Sequence, residues 1–245
     1  MIACDLLSGL ASSRVVIAVA WIMLAAVSGE CQSSSAVQTT GCPTSDHQMA
    51  VAGRDASGAI GVTSPALLEV RASSFQELAH INLRVRAFRS QSDYFRTRFS
   101  LSRFLLFMPM RYFVDVNPAL LLRPPPSDGV CAILAHELAH VVSVSRGNRV
   151  RRLGLIRLIS QRNTVKFERR ADLEAIHRGY GDGLKSYRTW VYTHIPPDKV
   201  QQKLRNYFSP GEITVIQVKL REQPNLYEHW RRHVPTNLQE IQQTK

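Results

Sequence analysis

Three stretches in the middle of the chain alternate between apolar and polar positions. Ile81, Leu83, Val85 and Ala87 alternate with Asn82, Arg84 and Arg86. Phe95, Thr97, Phe99 and Leu101 alternate with Arg96, Arg98 and Ser100. Tyr112, Val114 and Val116 alternate with Arg111 and Asp115, with Phe113 breaking the pattern. A period of two in aromatic and branched residues predicts half-buried strands. SQSD (90–93) and Pro109 mark the turns, so a small antiparallel sheet with one arginine-rich face is expected.

After RPPPSDG (123–129) the period becomes helical. Ser127 or Asp128 can cap a helix that runs to about Arg146, with Gly147 as its stop. Further helical segments are expected around 149–160, from Asn163 or Thr164 to Gly179, and from Asp182 to the Pro196-Pro197 stop. Ser209-Pro210-Gly211-Glu212 has the form of a capping box with proline at the first helical position. A last short helix is expected within 235–243. Ser74-Phe75-Gln76-Glu77 also has capping-box form, ahead of what must be a short helix. The fold class is therefore α+β, mostly α: a small sheet followed by a helical bundle.

The N-terminal part reads differently. Val15–Val27, VVIAVAWIMLAAV, is uncharged, with Arg14 before it and Ser28 and Gly29 after it. It has the length of a signal-peptide core and is short for a membrane span. Residues 1–28 are expected to be a signal peptide or N-terminal anchor of an exported protein, periplasmic or extracellular. Residues 29–64, rich in Ser, Ala, Thr and Gly without apolar period, read as a disordered linker, and 65–245 as the working domain. Four cysteines fit an oxidising compartment loosely: Cys31 and Cys42 can close a small loop, leaving Cys131 as a lone buried thiol.

The chain has 245 residues and a formal net charge of +12, which favours acidic surfaces or is simply a solvated basic surface. With no CxxC pair, Gly-rich phosphate loop or aromatic-basic signature, no nucleic-acid partner is expected. In the stretch 145–170, arginines interleave with Leu153, Leu155, Ile156, Leu158 and Ile159. It can be an amphipathic face for an anionic membrane surface or a helix packed on the core, and a third option is a preference for acidic substrates.

Candidate chemistry sits in ILAHELAHVVS (133–143). On a helix, residues four apart stand ~40° apart, so His136 and His140 face the same way, one turn apart. Both can ligate one metal ion, while Glu137 projects to the rim, where it can take a proton from water without being a ligand. Leu134, Leu138 and Val141 form a packing face. H-E-x-x-H arises by chance in about one chain in a hundred of this length, so a third ligand is the test. FERRADLEAIHRGYG (167–181) supplies one: Glu168 and Asp172 lie four apart on a predicted helix, on a face shared with the small Ala171 and Ala175. Arg170, Glu174 and His177 take the outer face. Glu168 completes a His2Glu set, and Asp172 is placed to accept the second ring N–H of a histidine ligand, His136.

His136-Glu137-x-x-His140 followed by Glu168-x-x-Ala171-Asp172 resembles the gluzincin zinc metallopeptidases. It is most similar to the branch with the CAAX prenyl endopeptidase and the heat-shock membrane proteases, and in size to the minigluzincins. The resemblance covers about 111–180, including VDVNPALL ahead of the metal helix. It implies a zincin-like fold, a Zn2+ cofactor, a polypeptide substrate, and peptide-bond hydrolysis through a metal-bound water with Glu137 as general base. It also implies an edge strand, expected within 111–117, that holds substrate extended, and a Tyr or His donor to the oxyanion, for which Tyr180, Tyr187, Tyr192 and His194 are candidates. The chain lacks the several spans of the membrane proteases. The competing reading is a non-catalytic basic protein that binds a membrane or partner, with structural histidines or a merely stabilising metal.

Overall fold

The computed structural model describes residues 55–146, apart from 101, 104, 105 and 107, and residues 161–244. The chain runs α1 (Ala56–Ser74), a 3-10 turn (Gln76–Leu78), β1 (Asn82–Ala87), β2 (Phe95–Phe99), β3 (Arg111–Val116), a 3-10 turn (Pro118–Leu121) and α2 (Ser127–Ser145). It continues through α3 (Gln161–Ala175), a π-turn (Ile176–Tyr180), α4 (Gly181–His194), α5 (Pro197–Asn206), α6 (Pro210–Glu222), α7 (Leu226–Arg232) and α8 (Leu238–Gln243). The class is α+β, mostly α, as the periodicities predict.

The helix α1 begins inside the stretch that reads as linker. Asp55 caps it by accepting from Gly58 N at 2.8 Å, and Ala59, Thr63, Ala66, Leu67 and Val70 are buried. Small residues give little sequence signal, yet they let the helix lie close against β1 and α2. Ser74 therefore ends a helix, and only a 3-10 turn follows it.

The sheet is mixed and ordered β1-β3-β2, which corrects the antiparallel expectation. β3 is central, paired parallel to β1 and antiparallel to β2, so residues 111–116 cannot offer a free edge. Alternation reports which face a residue takes and says nothing about which strand lies beside it. The seven residues 88–94 lead from one edge of the sheet to the other across the end of β3. Buried Asn117 pins this crossing: its Nδ2 donates to Ser90 O (2.7 Å) and Asp93 O (3.0 Å), and its N–H donates to Tyr94 O (2.8 Å).

The centre of the molecule is α2. Residues 129–142 are buried on all sides, against α4, α3, α1 and β2. Its N-cap position is Pro126, with no side-chain cap bond; Ser127 and Asp128 lie inside the helix. The α2–α4 approach depends on glycine, since a Cβ on Gly183 would meet Asp128 O at 2.3 Å. At the end of the π-turn, Gly179 takes φ 92°, and α4 sets off from there in a new direction. Ser209 and Glu212 form the expected capping box on α6.

Cys131 corrects the lone-thiol reading: it is disulfide-bonded, and the other three cysteines lie outside the described residues. Pairing follows distance in space rather than spacing along the chain. The expectations for residues 1–28, for the Cys31–Cys42 loop and for a helix at 149–160 also fall outside the described residues.

Candidate metal centre

Two helices build the site. α2 presents His136 and His140 one turn apart, and α3 brings Glu168 over them. The approach is close because Ala171 and Ala175 are buried with no side chain beyond Cβ to hold the helices apart. His140 Nε2 lies 3.1 Å from His136 Nε2 and 3.1 Å from Glu168 Oε2, and His136 Nε2 lies 3.3 Å from the same oxygen. Ligand atoms on a tetrahedral ion with bonds of about 2.0–2.1 Å stand about 3.3 Å apart, so this triangle is the size a small divalent ion requires. The group could hold a metal ion.

The tautomers suit ligation. Asp172 is fully buried, and a carboxylate only accepts, so His136 Nδ1 must donate to Asp172 Oδ1 at 2.7 Å. That leaves Nε2 for the metal face. Asp172 is itself fixed from two further directions. Arg188 donates to Oδ1 at 2.7 Å, and Phe208 N–H donates to Oδ2 at 3.0 Å. Burial works against the Asp172 carboxylate, but Arg188 and His136 outweigh it and hold its pKa below the usual range. Burial also disfavours an imidazolium at His136, yet Asp172, Glu168 and Glu137 overcome it and push the pKa up to about 9. Glu168 is held well below the ordinary carboxylate range: the two histidines overcome the opposing effect of burial. Both shifts have one cause, carboxylates and imidazoles gathered so that the pocket favours positive charge.

Glu137 is buried, and among the described residues its Oε2 has no hydrogen-bond partner, nor has His140 Nδ1. A buried carboxylate oxygen without a donor is costly and calls for an occupant such as water or substrate. It faces a narrow cleft with His136, Tyr187, Arg188, Lys203 and Tyr207. The main chain at this point is tied to β2, since Thr97 Oγ1 donates to Glu137 O at 3.0 Å. The edge beside the site is therefore β2, in place of the 111–117 segment.

Arg188 and Tyr207 are the residues the sequence reading missed. Arg188 lies on the stripe Leu184, Tyr187, Arg188, Val191, and an arginine inside an apolar stripe is the signal that could have found it. Tyr207 lies between helices, where no period exists. Its ring packs 4.1 Å from the Arg188 guanidinium and 5.8 Å from the His136 ring. Burial and the negative Glu168 raise its pKa well above the ordinary phenol value. Of the four oxyanion candidates, Tyr187 lines the cleft. The Tyr192 hydroxyl is buried with no partner among the described residues. Tyr180 is turned to Ser74 Oγ at 2.8 Å, and His194 stacks on Trp190 at the end of α4. On the outer face expected for α3, partly buried Glu174 bonds Arg178 and Tyr227, and His177, still exposed, stacks on Tyr227 at 3.6 Å.

No protein-family model, curated protein or solved structure matches the chain.

Proposed function

We propose that the chain is a zinc-dependent endopeptidase with a zincin-like fold, related to the gluzincins. The observation that carries this reading is the pairing of the His136, His140, Glu168 triangle with a buried Glu137, whose Oε2 has no donor among the described residues and which lines a cleft. A purely structural metal site would need no such base. Zinc, when bound, acidifies a water molecule and polarises a carbonyl. Glu137 then takes the proton from the attacking water and delivers it to the leaving amine. Asp172, fixed by Arg188 and Phe208 N–H, holds the His136 ring in the ligating tautomer. Tyr207, which lines the cleft and packs beside His136, is the best-supported donor to the carbonyl oxygen as it gains charge. β2, an edge strand of the sheet among the described residues and packed beside α2, takes the substrate extended by strand addition. The disulfide at Cys131 supports export to an oxidising compartment. No helix among the described residues is long and apolar enough to cross a membrane.

The test is metal content beside cleavage of an unstructured protein such as casein. Wild type should carry one zinc per chain, and Glu168→Ala and His140→Ala should lose it together with turnover. A wild type without metal, or one whose turnover survives His140→Ala, would overturn the proposal.

A further inference from the structure

The two faces of the sheet are unlike. Tyr112, Val114 and Val116 of β3 are buried on the inner face. On the outer face, register places Arg84, Phe113 and Arg98 in one cross-strand row and Arg86, Asp115 and Arg96 in the next. Arg111 belongs to the same face, which thus sets five arginines against one carboxylate. Asp115 is almost fully buried beneath Arg86 (2.9 Å), Arg96 (3.2 Å) and Arg98 (3.9 Å), whose side chains stay 43%, 44% and 57% exposed. Guanidinium groups sit over aromatic rings, Arg86 over Phe113 at 3.7 Å and Arg96 over Phe88 at 4.1 Å. Arg86 gives Nε and Nη2 to Asp115 and Arg96 gives Nε, while both side chains stay partly exposed.

At the end of this face the β2–β3 hairpin closes, with Ser100 N–H donating to Arg111 O at 2.9 Å. Its connection, residues 101–110, contains no acidic residue. Leu106 is 69% and Met108 41% exposed, beside Arg103, which donates to Pro109 O at 3.0 Å. Guanidinium groups suit phosphate oxygens wherever they occur, in lipid headgroups or nucleic acid. The apolar tip decides between them. A nucleic-acid backbone leaves Leu106 and Met108 in water, whereas a bilayer interface accepts aliphatic side chains below the level at which it offers phosphates to arginine.

We propose that this arginine face and its hairpin tip form a docking surface for an anionic phospholipid bilayer, with Leu106 and Met108 entering the interface and Arg84, Arg86, Arg96 and Arg98 at the headgroup phosphates. No step of this rests on the metal site. It uses different residues from the arginine-rich stretch 145–170.

The experiment is sedimentation of the full chain with vesicles of phosphatidylcholine alone and with roughly a third phosphatidylglycerol, at low and high salt. Wild type should bind the anionic vesicles at least about tenfold more tightly than the neutral ones, and less tightly as salt rises. Arg84→Glu/Arg98→Glu should weaken binding to anionic vesicles about a hundredfold. Leu106→Asp/Met108→Asp should weaken it about tenfold. Arg205→Glu/Arg232→Glu makes the same charge change at exposed positions elsewhere and should leave most of the binding intact. Any contribution from the apolar stretch 15–27 is common to all variants. Circular dichroism checks that each variant is folded. The proposal fails if Arg84→Glu/Arg98→Glu binds like wild type, or if the Arg205/Arg232 pair weakens binding equally. It also fails if duplex DNA competes the protein off the vesicles and Leu106→Asp/Met108→Asp binds that DNA and the vesicles as tightly as wild type.

Discussion

Asp172 and Asp115 are both buried aspartates met by arginine, and they do opposite things. Asp172 lies between α3 and α4 with a single arginine, itself only 3% exposed, and spends its remaining capacity on His136 and Phe208 N–H. Charge and geometry close on themselves, and the product is one imidazole held in one orientation. Asp115 lies under three arginines that remain exposed, more charge than one carboxylate can neutralise. The surplus faces outward. Balance inside the protein fixes a site, while imbalance at the surface leaves charge available to a partner.

Removing the balanced carboxylate should have the largest effect. Asp172→Ala strands the Arg188 guanidinium in the core and frees the His136 ring. Urea denaturation should show a loss of about 3–5 kcal/mol, and competition with a chelator should show metal affinity down about 10–100-fold. Arg188→Met is milder, because Asp172 keeps His136 and Phe208 N–H, and a loss of about 2–3 kcal/mol is expected. In the double variant the two losses should overlap, falling short of their sum by about 1–3 kcal/mol; strict additivity would mean that the pair is not coupled. Metal loading should weaken as pH falls from 8 to 6. His136, with its pKa raised to about 9, must shed a proton to ligate, at a cost of up to about tenfold in affinity per pH unit. Loading that is flat across this range would mean the Asp172 partnership does not hold the proton. Asp115→Asn should be the smallest change, about 1 kcal/mol or less in stability, because the arginines it releases are solvated. It should also tighten binding to anionic vesicles, by up to about fivefold, where Asp172→Asn should not.

The site was more legible in the sequence than the sheet. His136 and His140, and Glu168 and Asp172, are each i,i+4 pairs, and a helix turns that spacing into a shared direction before any tertiary structure is known. The pairing of Asp172 with His136 follows from the same geometry. Arg188 was legible only as a misfit in an apolar stripe, and its partner comes from another helix. Tyr207 has no periodic neighbours, and only the packing of α5 and α6 brings it to the cleft. Strand faces could be read from alternation, with Phe113 and Asp115 on the arginine side. The central position of β3 could not, because strand order is fixed by the crossing that Asn117 pins. The start of helix α1 was hidden by its own composition: Ala59 and Thr63 look like linker residues until they are seen buried in an interface.

The central claim is that Glu137 is a base beside a bound metal. Zinc content and casein turnover of wild type and Glu137→Gln, measured on the same preparations, test it most directly. The account predicts one zinc per chain in both proteins and turnover about 10²–10⁴-fold lower in the variant. Equal turnover in the two, or a wild type that holds zinc and hydrolyses no peptide bond, would contradict it.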